Sequence, residues 1–505
     1  MNAETDLEYP APLVVMSNRL PYDLPRKPGG RPSRKNVGGL VNALEPVLAE
    51  RGGSWIGWDG SPLPSGTAVA AAMSEPPAPG RAGFHGVPLS EREVALYYHG
   101  FSNRALWPLF HGFPETAVFA PESFAAYRRV NRRFAEVALG RALSGSRVWV
   151  HDFHLMLVPR ILRDLGYRGR IDFFLHIPFP PPEIFRVLPW REEILRGLLA
   201  ADAVGFHIAS YRDNFAQAAR ELVGAEIVAR GRGAASILRH RGGETSAVAV
   251  PIGIDVADFE RIARRPEISA RARDLREVHG NRRILFGADR LDYTKGVREK
   301  LQVLERLLSV RPEAAGRVVL IQIVVPSRHQ VEEYRAMKRE IDREVGRING
   351  EYGREGWMPI HYRYRALSRE ELVVHYLAAD VALVTPLRDG MNLVASEFAA
   401  SRVDEDGVLM LSEFAGAAER CSSAILVNPY DLEGCTEALG TALAMDRLER
   451  RARMVGLRAA VRSNPVARWA ERCLEQEEPR ARVATAAWRG AGAPSRAPRF
   501  RIVEP

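Results

Sequence analysis

The chain of 505 residues is 46% hydrophobic and 26% charged, a composition typical of a globular protein rather than a disordered or fibrous one. This length exceeds what one compact core accommodates, so we expect two or more domains. No apolar run approaches the roughly 18 residues that span a bilayer, and the acidic N-terminal segment lacks the apolar core of a secretory signal, so we expect a cytoplasmic protein with no membrane partner.

The net charge of +9 raises the question of nucleic-acid binding, but its distribution argues against that class. Residues 479–505 contain six arginines and one glutamate, so five of the nine net charges lie in a stretch that we predict to be a disordered basic tail. The rest of the chain is mixed in sign and shows no nucleic-acid motif. The cysteines have no metal-ligand spacing and are predicted to be reduced thiols. They are Cys421, Cys435 and Cys473.

Short apolar runs rich in Val and Ile predict strands buried on both faces of parallel sheets. A first series covers residues 12–17, 147–153, 170–177, 201–207 and 247–253. A second series covers residues 282–289, 317–325, 379–387, 407–414 and 423–429. Amphipathic stretches such as 297–310 lie between the runs and predict helices. The alternation predicts an α/β fold with two Rossmann-like doubly wound parallel sheets.

The two series predict two domains and a tail, with boundaries at 1–255, 256–478 and 479–505. The break between the domains is placed near residues 251–265, where the first series ends and a charged segment begins. We expect the last helix before the tail to pack back on the first domain. Residues 54–95 have weaker periodicity and are predicted to add loops and short antiparallel strands to that domain.

Polar residues at the end of the first predicted strand suggest an anion site. Arg19 follows this strand, and ligands of open α/β sheets bind at the carboxyl ends of strands. Gly38 and Gly39 open an amphipathic helix, where backbone N–H groups can approach a phosphate. The basic loop 26–36 could close over an anion, although a solvated loop is the simpler interpretation.

The segments HDFHL (151–155) and FFLHIPFPPPEIF (173–185) also place polar residues at strand ends. Asp152 could accept hydrogen bonds from sugar hydroxyls, and His176 could line a reaction centre. A zinc site built from His151, His154 and His176 is a possible alternative. We favour structural histidines, because the spacing follows a strand and lacks the carboxylate pattern of metal sites.

The segment GADRLDYTKGV (287–297) follows a buried strand of the second series and places Arg290 and Lys295 on the way into a helix. Two cations converging there could neutralise a diphosphate leaving group, Arg by fork geometry and Lys as a point charge. Arg328, after the next strand, is a candidate of the same kind. For a lone arginine at a strand end, an ordinary surface residue is the alternative.

The segment RDGMNLVASEF (388–398) carries the strongest functional signal. A buried strand leads into a turn with Asp389, and a helix predicted to start near Met391 carries Glu397 on its second turn. Helix N-termini bind phosphates, and a carboxylate two turns in can accept hydrogen bonds from a ribose, so the segment suggests a nucleotide-diphosphate-sugar site. An ordinary strand–loop–helix is the alternative. The Asp-x-Asp of residues 404–406 is interpreted as a solvated turn rather than a metal site.

Many ordered motifs together resemble the trehalose-6-phosphate synthases, the retaining glycosyltransferases of family 20, from about Leu13 to about Glu475. The motifs are VMSNRLP, VGGL, WIGWDG, YYHGFSNRALWPLFH, VWVHDFHL, FFLHIPFPPPEIF, PIGID, RLDYTKG, PSR, GRINGEYG, TPLRDGMNLVASEF, SEFAGAAE and VNPYD. The resemblance implies a GT-B fold, in which two Rossmann-like domains face each other across a cleft. It also implies transfer of glucose from UDP-glucose to glucose 6-phosphate, with no metal or other cofactor and a role in osmoprotection.

Site residues follow from the same resemblance. It implies an acceptor pocket formed by Arg19, Tyr98, Trp107, Asp152 and Arg328. It implies a donor site formed by Gly38, Gly39, Arg290, Lys295, the backbone near Leu367, and Leu393, Val394, Ala395, Ser396 and Glu397. The residues expected to act in catalysis are His176, Arg290, Lys295 and Asp389, with His176 and Asp389 at the transferred glucose. No side-chain nucleophile is expected, and catalysis rests on positioning and charge stabilisation.

The chain departs from the family pattern at two places. Many bacterial relatives have lysine where this chain has Ser396, so backbone N–H groups are expected to bind the phosphate there. The loop between Arg19 and Gly38 is long, which leaves the donor base open. GDP-glucose, a different phosphorylated acceptor such as glycerol 3-phosphate, or an inactive sugar-phosphate sensor remain alternatives. We expect a homo-oligomer, either a dimer or a tetramer.

Overall fold

Two mainly parallel sheets provide the framework of the protein. The computed structural model describes residues 13–23, 33–34, 41, 44–45, 47–48, 52–62, 83–142, 145–230, 235–280, 282–327 and 332–475. Gly38, Gly39 and Arg328 lie outside the described residues, as does the predicted tail 479–505. In the described parts of the chain, no helix is both long and apolar enough to cross a membrane.

The first sheet has nine strands in the order β5-β4-β1-β6-β7-β8-β11-β10-β9. Its strands are β1 Leu13–Arg19, β4 Gly53–Trp58, β5 Gly83–Gly86, β6 Arg147–His151, β7 Ile171–Phe174, β8 Ala203–Phe206, β9 Glu226–Arg230, β10 Ala235–His240 and β11 Gly243–Ala249. The strands from β5 to β11 in this order are parallel, and β10 and β9 close one edge as an antiparallel pair. A separate two-stranded ribbon pairs β2 Tyr22–Asp23 with β3 Ser33–Arg34.

The second sheet has six strands, all parallel, in the order β14-β13-β12-β15-β16-β17. These are β12 Arg283–Arg290, β13 Val318–Val325, β14 Ile360–Tyr364, β15 Val381–Val384, β16 Val408–Ser412 and β17 Ile425–Val427. The predicted α/β fold with two parallel sheets is therefore confirmed. Nearly all residues of β13, β15 and β16 are buried, as expected for strands covered by helices on both faces.

Helices cover both sheets. The α-helices are Glu91–Glu93, Trp107–Phe110, Pro121–Leu139, Val158–Asp164, Pro182–Phe185, Arg191–Leu198, Ala209–Val223, Val256–Ala263, Pro266–Val278, Val297–Val310, Glu332–Tyr352, Arg369–Ala378, Leu393–Ser401, Leu432–Ala444, Arg447–Arg462 and Val466–Leu474. Val94–Leu106 forms a π-helix, and short 3₁₀ turns occupy Pro114–Thr116, Phe153–Leu155, Tyr293–Lys295, Pro312–Ala314 and Gly416–Glu419. The helix predicted over 297–310 is present with those bounds.

The prediction for residues 54–95 was wrong. β4 pairs in parallel with β1, and β5 pairs in parallel with β4, so the two strands described in this segment extend the main sheet in parallel instead of forming an antiparallel pair. The sequence GSWIGW of β4 contains two glycines and two tryptophans, and its last four residues are all buried. Burial on both faces removes the alternation by which a strand is recognised.

The C-terminal helix, Val466–Leu474, lies against the first sheet. Trp469 is fully buried there, with its ring centroid 5.3 Å from that of Trp149 and 5.1 Å from that of Phe174. The Arg147 guanidinium donates hydrogen bonds to the last carbonyls of this helix, one of them to Cys473 at 3.1 Å. Positive charge at the C-terminal end of a helix is stabilising, so the first sheet holds this helix at its end as well as along its face.

Trp469→Ala should destabilise the protein by about 3–5 kcal/mol, because it leaves a large cavity between the helix and the sheet. The measurement is the midpoint of thermal denaturation. Leu448→Ala is the matched control, because Leu448 is 80% exposed and its truncation should leave the midpoint nearly unchanged. Equal midpoints for the two variants would show that the helix is not anchored by this side chain.

Candidate active site

The candidate site residues lie at the carboxyl ends of strands where the connections reverse direction. In the first sheet this switch point separates β1 from β6, and in the second it separates β12 from β15. Arg19 ends β1 and Asp152 directly follows β6, whereas Arg290 ends β12 and Asp389 follows β15. Open α/β sheets bind ligands at such points. Each sheet therefore contributes one half-site.

Aromatic rings hold Arg19 at the first half-site. Its guanidinium carbon lies 4.4 Å from the ring centroid of Trp58 and 6.0 Å from that of Tyr98. Tyr98 in turn lies edge-on to Trp58 at 5.7 Å and stacks on His154 at 5.9 Å. Arg19 remains exposed, so a guanidinium oriented by cation–π contacts is available to an anion in the cleft.

Tyr98 lies on the π-helix Val94–Leu106, which leads directly into Trp107. The neighbouring Tyr97 is fully buried, and its hydroxyl donates to Asn18 Oδ1 at 2.8 Å, which ties this helix to the end of β1. π-Helical segments are rare and occur frequently at functional sites, where they redirect side chains. Here the π-helix brings Tyr98 beside Arg19.

Asp152 has a strained backbone and a buried carboxyl group. Its φ of 74° lies in the left-handed region that a non-glycine residue rarely adopts. Its Oδ1 accepts a hydrogen bond from the backbone N–H of His176 at 3.2 Å. Burial raises the pKa of Asp152 to about 6, although hydrogen bonds from backbone N–H groups and the charge of Arg290 act in the opposite direction.

His176 lies in a cluster of buried histidines. His151 Nδ1 and His176 Nε2 are 3.2 Å apart, and the His207 ring lies 5.4 Å from the His176 ring. Burial lowers the pKa of His176 well below its ordinary value, and the neighbouring His207 and His151 lower it further. His176 is therefore a neutral imidazole at neutral pH.

Lys295 and Asp389 form a desolvated ion pair at the second half-site. Lys295 Nζ donates to Asp389 Oδ2 at 2.5 Å, and Asn392 Nδ2 donates to the same oxygen at 3.1 Å. Burial of Asp389 would raise its pKa, but Lys295 outweighs burial and holds the pKa of this carboxyl below its ordinary value. Gly296 has a φ of +63°, and a Cβ at this position would lie 2.6 Å from the Thr385 carbonyl oxygen. Glycine thus permits the tight turn that directs Lys295 towards Asp389.

Trp107 connects Arg290 to the first half-site. The Arg290 guanidinium carbon lies 5.6 Å from the Trp107 ring centroid, and Trp107 Nε1 donates to Asp292 Oδ1 at 3.3 Å. Asp292 also accepts from the backbone N–H of Thr294 at 3.1 Å and from its hydroxyl at 2.9 Å. Trp107, which packs in the core of the first sheet, is therefore hydrogen-bonded to the loop that carries Lys295.

The helix Leu393–Ser401 begins two residues later than predicted. Asn392 has a φ of 67°, which cannot continue a helix, so the first helical residue is Leu393 rather than Met391. No side chain of the described residues caps this N-terminus. The backbone N–H groups of its first turn are therefore in position to bind an anion.

The side chains of this segment differ in burial. Leu393, Val394 and Leu367 are half-buried and pack against the same hydrophobic core, whereas Ala395 is fully buried and Ser396 is 8% exposed. Ala395 can thus contribute only its backbone to a donor site. Glu397 Oε2 accepts a hydrogen bond from the Tyr376 hydroxyl at 3.0 Å, and burial raises the pKa of Glu397.

The two half-sites meet through backbone contacts. A Cβ at Gly390 would lie 2.2 Å from the His176 carbonyl oxygen, so only glycine permits this approach. A Cβ at Gly416 would lie 2.2 Å from the Gly390 carbonyl oxygen, which makes the contact continuous with a second loop. The Tyr211 hydroxyl donates to the Asp389 carbonyl at 3.1 Å. The loop that carries Asp389 is therefore packed directly on the strand end that carries His176.

A sequence similarity to a known family covers most of the chain and agrees with this arrangement of two α/β sheets. The sequence profile of Glycosyltransferase family 20 matches residues 11–478. The chain belongs to this glycosyltransferase family.

Members of family 20 with similar sequences include the trehalose-6-phosphate synthase of Mycolicibacterium smegmatis, which is 46% identical over 92% of this chain and 91% of the relative. The corresponding enzyme of Mycobacterium tuberculosis strain H37Rv is 44% identical over 92% of this chain and 93% of its own. Among solved structures, one from E. coli bound with UDP-2-fluoro glucose has a TM-score of 0.85 and 34% identity, covering 93% of this chain and 100% of its own. The alpha,alpha-trehalose-phosphate synthase (UDP-forming) from Burkholderia xenovorans in complex with glucose-6-phosphate has a TM-score of 0.83 and 33% identity, covering 92% and 99%.

The predicted family and its GT-B fold are confirmed. The structure places the predicted and described residues in local groups. Arg19 lies beside Tyr98, the Asp152 carboxyl group bonds to the His176 backbone, and Arg290 lies over Trp107. Lys295 bonds to Asp389, Leu367, Leu393 and Val394 pack against one hydrophobic core, and Glu397 bonds to Tyr376. Their roles in binding and catalysis stay predictions. Gly38, Gly39 and Arg328 lie outside the described residues.

The alternative metal sites carry no support in the described parts of the chain, where no cluster of three or more His, Cys, Asp or Glu residues could hold a metal ion. Asp404 pairs with Arg402 at 2.8 Å, and Asp406 pairs with Arg450 at 2.6 Å. The Asp-x-Asp of residues 404–406 thus serves structural ion pairs.

Sequence reasoning did not single out several residues that contact the candidate site residues. His111 is 2% exposed and its ring lies tilted against that of Trp107, with the ring centroids 4.1 Å apart. Burial and then the charge of Lys295 lower the pKa of His111 to about 4. Trp58 and Asn392 contact Arg19 and Asp389, respectively. Both lie in motifs that were recognised, WIGWDG and RDGMN, so their position beside predicted residues was the available signal.

Gly390→Ala should lower the rate of sugar transfer by about tenfold or more, because the added methyl group would force the Asp389 loop away from His176. The measurement is the rate of nucleotide release from a sugar nucleotide. Gly346→Ala, within the helix Glu332–Tyr352, is the matched control, since a Cβ there meets nothing within 4 Å. Full activity of Gly390→Ala would refute the argument that this backbone contact sets the geometry of the site.

Proposed function

We propose that this family 20 enzyme transfers glucose from UDP-glucose to glucose 6-phosphate and forms α,α-trehalose 6-phosphate and UDP. The observation that carries the proposal is the arrangement of the two half-sites. Arg19 and Asp152 of the first half-site suit a sugar phosphate, and Arg290 and Lys295 of the second suit a nucleotide diphosphate. The loops of the two half-sites meet where Gly390 approaches the His176 carbonyl oxygen. The Burkholderia xenovorans structure named above, a UDP-forming synthase in complex with glucose-6-phosphate, supports these substrates. The M. smegmatis and M. tuberculosis relatives, named as trehalose-6-phosphate synthases, support the same product.

The first half-site has the chemistry of an acceptor pocket. Arg19 is held by Trp58 and Tyr98 and presents its guanidinium to the cleft, which suits the phosphate of glucose 6-phosphate. Asp152 supplies a carboxylate that accepts hydrogen bonds from sugar hydroxyls, with Oδ1 already fixed by the His176 backbone. Trp107 and Tyr98 provide apolar walls. Arg328 is proposed to add a second cation on the grounds of the family resemblance alone.

The second half-site has the chemistry of a donor pocket. Lys295 and Arg290 supply positive charge to the diphosphate, and the backbone N–H groups at the start of Leu393–Ser401 add further donors. Glu397 accepts from the ribose through the oxygen that Tyr376 does not occupy. Gly38 and Gly39 are proposed to close over the nucleotide sugar, again from the resemblance.

The reaction retains configuration without a side-chain nucleophile. Asp389 is bonded to Lys295 and Asn392, and Glu397 is bonded to Tyr376, so neither carboxylate resembles the paired carboxyl groups of a glycosidase. The bond from the glucose anomeric carbon to the UDP oxygen breaks as the bond to the anomeric hydroxyl oxygen of the acceptor forms on the same face. The proton of that hydroxyl passes to the departing phosphate oxygen. Catalysis then depends on alignment and on stabilisation of the leaving diphosphate.

The remaining parts of the proposal concern cofactors, location in the cell and assembly. Because Arg290 and Lys295 supply cationic charge to the diphosphate, we propose that the reaction needs no metal ion or other cofactor. We further propose a cytoplasmic homo-oligomer without nucleic-acid or membrane partners, whose product serves osmoprotection.

The test is nucleotide release by the purified full chain with glucose 6-phosphate and either UDP-glucose or GDP-glucose, with the products analysed by mass spectrometry. A phosphorylated disaccharide formed from UDP-glucose, with and without a chelator, is the expected result. Its formation from GDP-glucose alone would correct the donor. Saturable binding of glucose 6-phosphate without any transfer would show that the protein is a sugar-phosphate sensor and not an enzyme.

Lys295→Ala should lower kcat by about 100- to 1,000-fold, because it removes charge stabilisation of the leaving diphosphate. It also leaves Asp389 buried without its cation, which lowers stability. The double variant Lys295→Ala/Asp389→Asn removes that unpaired charge, so it should regain thermal stability but not turnover. Both are measured with saturating substrates.

Lys338→Ala is the control for this series, because Lys338 pairs with Asp342 on the surface of the helix Glu332–Tyr352 and should be dispensable. Near-normal turnover of a folded Lys295→Ala variant would show that Lys295 has no catalytic role. Recovery of turnover together with stability in the double variant would assign Lys295 a structural role only.

A further inference from the structure

Three histidines lie side by side at the carboxyl ends of neighbouring strands of the first sheet. His151 ends β6, His176 follows β7 and His207 follows β8. The ring centroids of His151 and His207 are each 5.4 Å from that of His176. His176 is thus the centre of a row, with one histidine on either side.

An aromatic pocket covers the His151 side of this row. The Trp149 ring lies 4.6 Å from the His151 ring, and Trp469 of the C-terminal helix lies 6.3 Å from His151 and 5.9 Å from His176. His151 and Trp469 are both fully buried, whereas His176 keeps partial exposure. Burial lowers the pKa of His151 to about 3 and that of His207 to about 4. Each imidazole is therefore neutral and carries one N–H.

The pattern of partners fixes where the His151 proton lies. His151 Nδ1 faces His176 Nε2 at 3.2 Å, so one of these two atoms donates and the other accepts. Among the described residues, His151 Nε2 is buried and has no hydrogen-bond partner. A buried N–H without an acceptor is rarer and costlier in proteins than an unused acceptor. The proton of His151 belongs on Nδ1, from which it donates to His176 Nε2.

We propose that His151 is a positioning residue that fixes His176 in the tautomer protonated on Nδ1. His176 then presents an N–H donor, not an acceptor, to a hydroxyl oxygen of the transferred glucose. Trp469 keeps water away from the His151–His176 hydrogen bond, which gives the C-terminal helix a part in organising the site. This inference rests on the proposed function for the assignment of His176 to the transferred glucose.

Other contacts hold the rest of His176 while His151 orients its ring. Its backbone N–H donates to Asp152, and His207 hydrogen-bonds to its backbone. The backbone N–H of Ile252 lies 3.5 Å from His207 Nδ1, which leaves Nε2 as the protonated nitrogen of His207. With its backbone held on both sides, the ring of His176 has its hydrogen-bonding polarity set by His151, the ring partner that the described residues provide.

Two substitutions separate the hydrogen bond from the packing. In His151→Asn the amide nitrogen takes the place of Nδ1 and can still donate, whereas His151→Phe fills the pocket without a donor. We expect kcat to fall about 10- to 100-fold in His151→Phe, with an unchanged KM for glucose 6-phosphate. His151→Asn should stay within about threefold of the native rate. Near-native turnover of a folded His151→Phe, or equal losses in both variants, would overturn the proposal.

The tautomer itself is read by long-range ¹⁵N–¹H NMR of histidine-labelled full-length protein, with His176→Gln used to assign the His176 signals. A protonated Nδ1 and an unprotonated Nε2 on His176 are expected in the native chain, and loss of this single tautomer is expected in His151→Phe. Protonation of Nε2 in the native chain would refute the proposal. This measurement needs no substrate. The NMR result can therefore refute the tautomer proposal while the transfer assay supports the proposed function, and the transfer assay can refute the function while the tautomer is as expected.

Discussion

The close approach of the Gly390 backbone to the His176 carbonyl is the contact on which the rest of the site depends. Neither half-site can perform a transfer alone, because one is suited to an acceptor and the other to a leaving diphosphate. Their separation is fixed where a residue without a side chain allows two main chains to touch. Hydrogen bonds from Tyr211 and Trp107 to the loops of the second sheet hold the same junction. The distance between the substrates is thus set by backbone packing, which is stiff.

That junction also controls the electrostatics of the site. Lys295 and Asp389 are both largely buried, so their attraction is screened less than it would be at the surface. The ion pair helps to keep the Asp389 carboxyl ionised despite burial, while burial raises the pKa of Asp152 more than its backbone hydrogen bonds and the charge of Arg290 lower it. Two aspartates at equivalent positions after switch-point strands therefore differ in their proton affinity. Their partners, not their position in the fold, account for the difference.

Much of this could be predicted from sequence, for identifiable reasons. Continuous Val- and Ile-rich runs located the inner strands, and residues at their carboxyl ends, such as Arg290 and Asp389, converge because parallel strands share one edge. The bond between Lys295 and Asp389 joins residues 94 apart, and no local pattern specifies it. β4 was misjudged because its last four residues, which include both tryptophans, are all buried and show no alternation. The αL conformation of Asn392, which delays the next helix, is one that asparagine tolerates, but the sequence alone does not specify it at this position.

The histidine row shows most clearly what local sequence leaves undetermined. His151 and His176 were visible as polar residues at strand ends, a pattern that fits a metal site as well as a structural pair. The deciding neighbour, Trp469, comes from the far end of the chain and helps to bury the pair. Burial favours neutral imidazoles, and neutrality has a functional consequence here. A protonated His176 would place a charge in the buried histidine row, whereas a neutral ring supplies a directed hydrogen bond without adding charge.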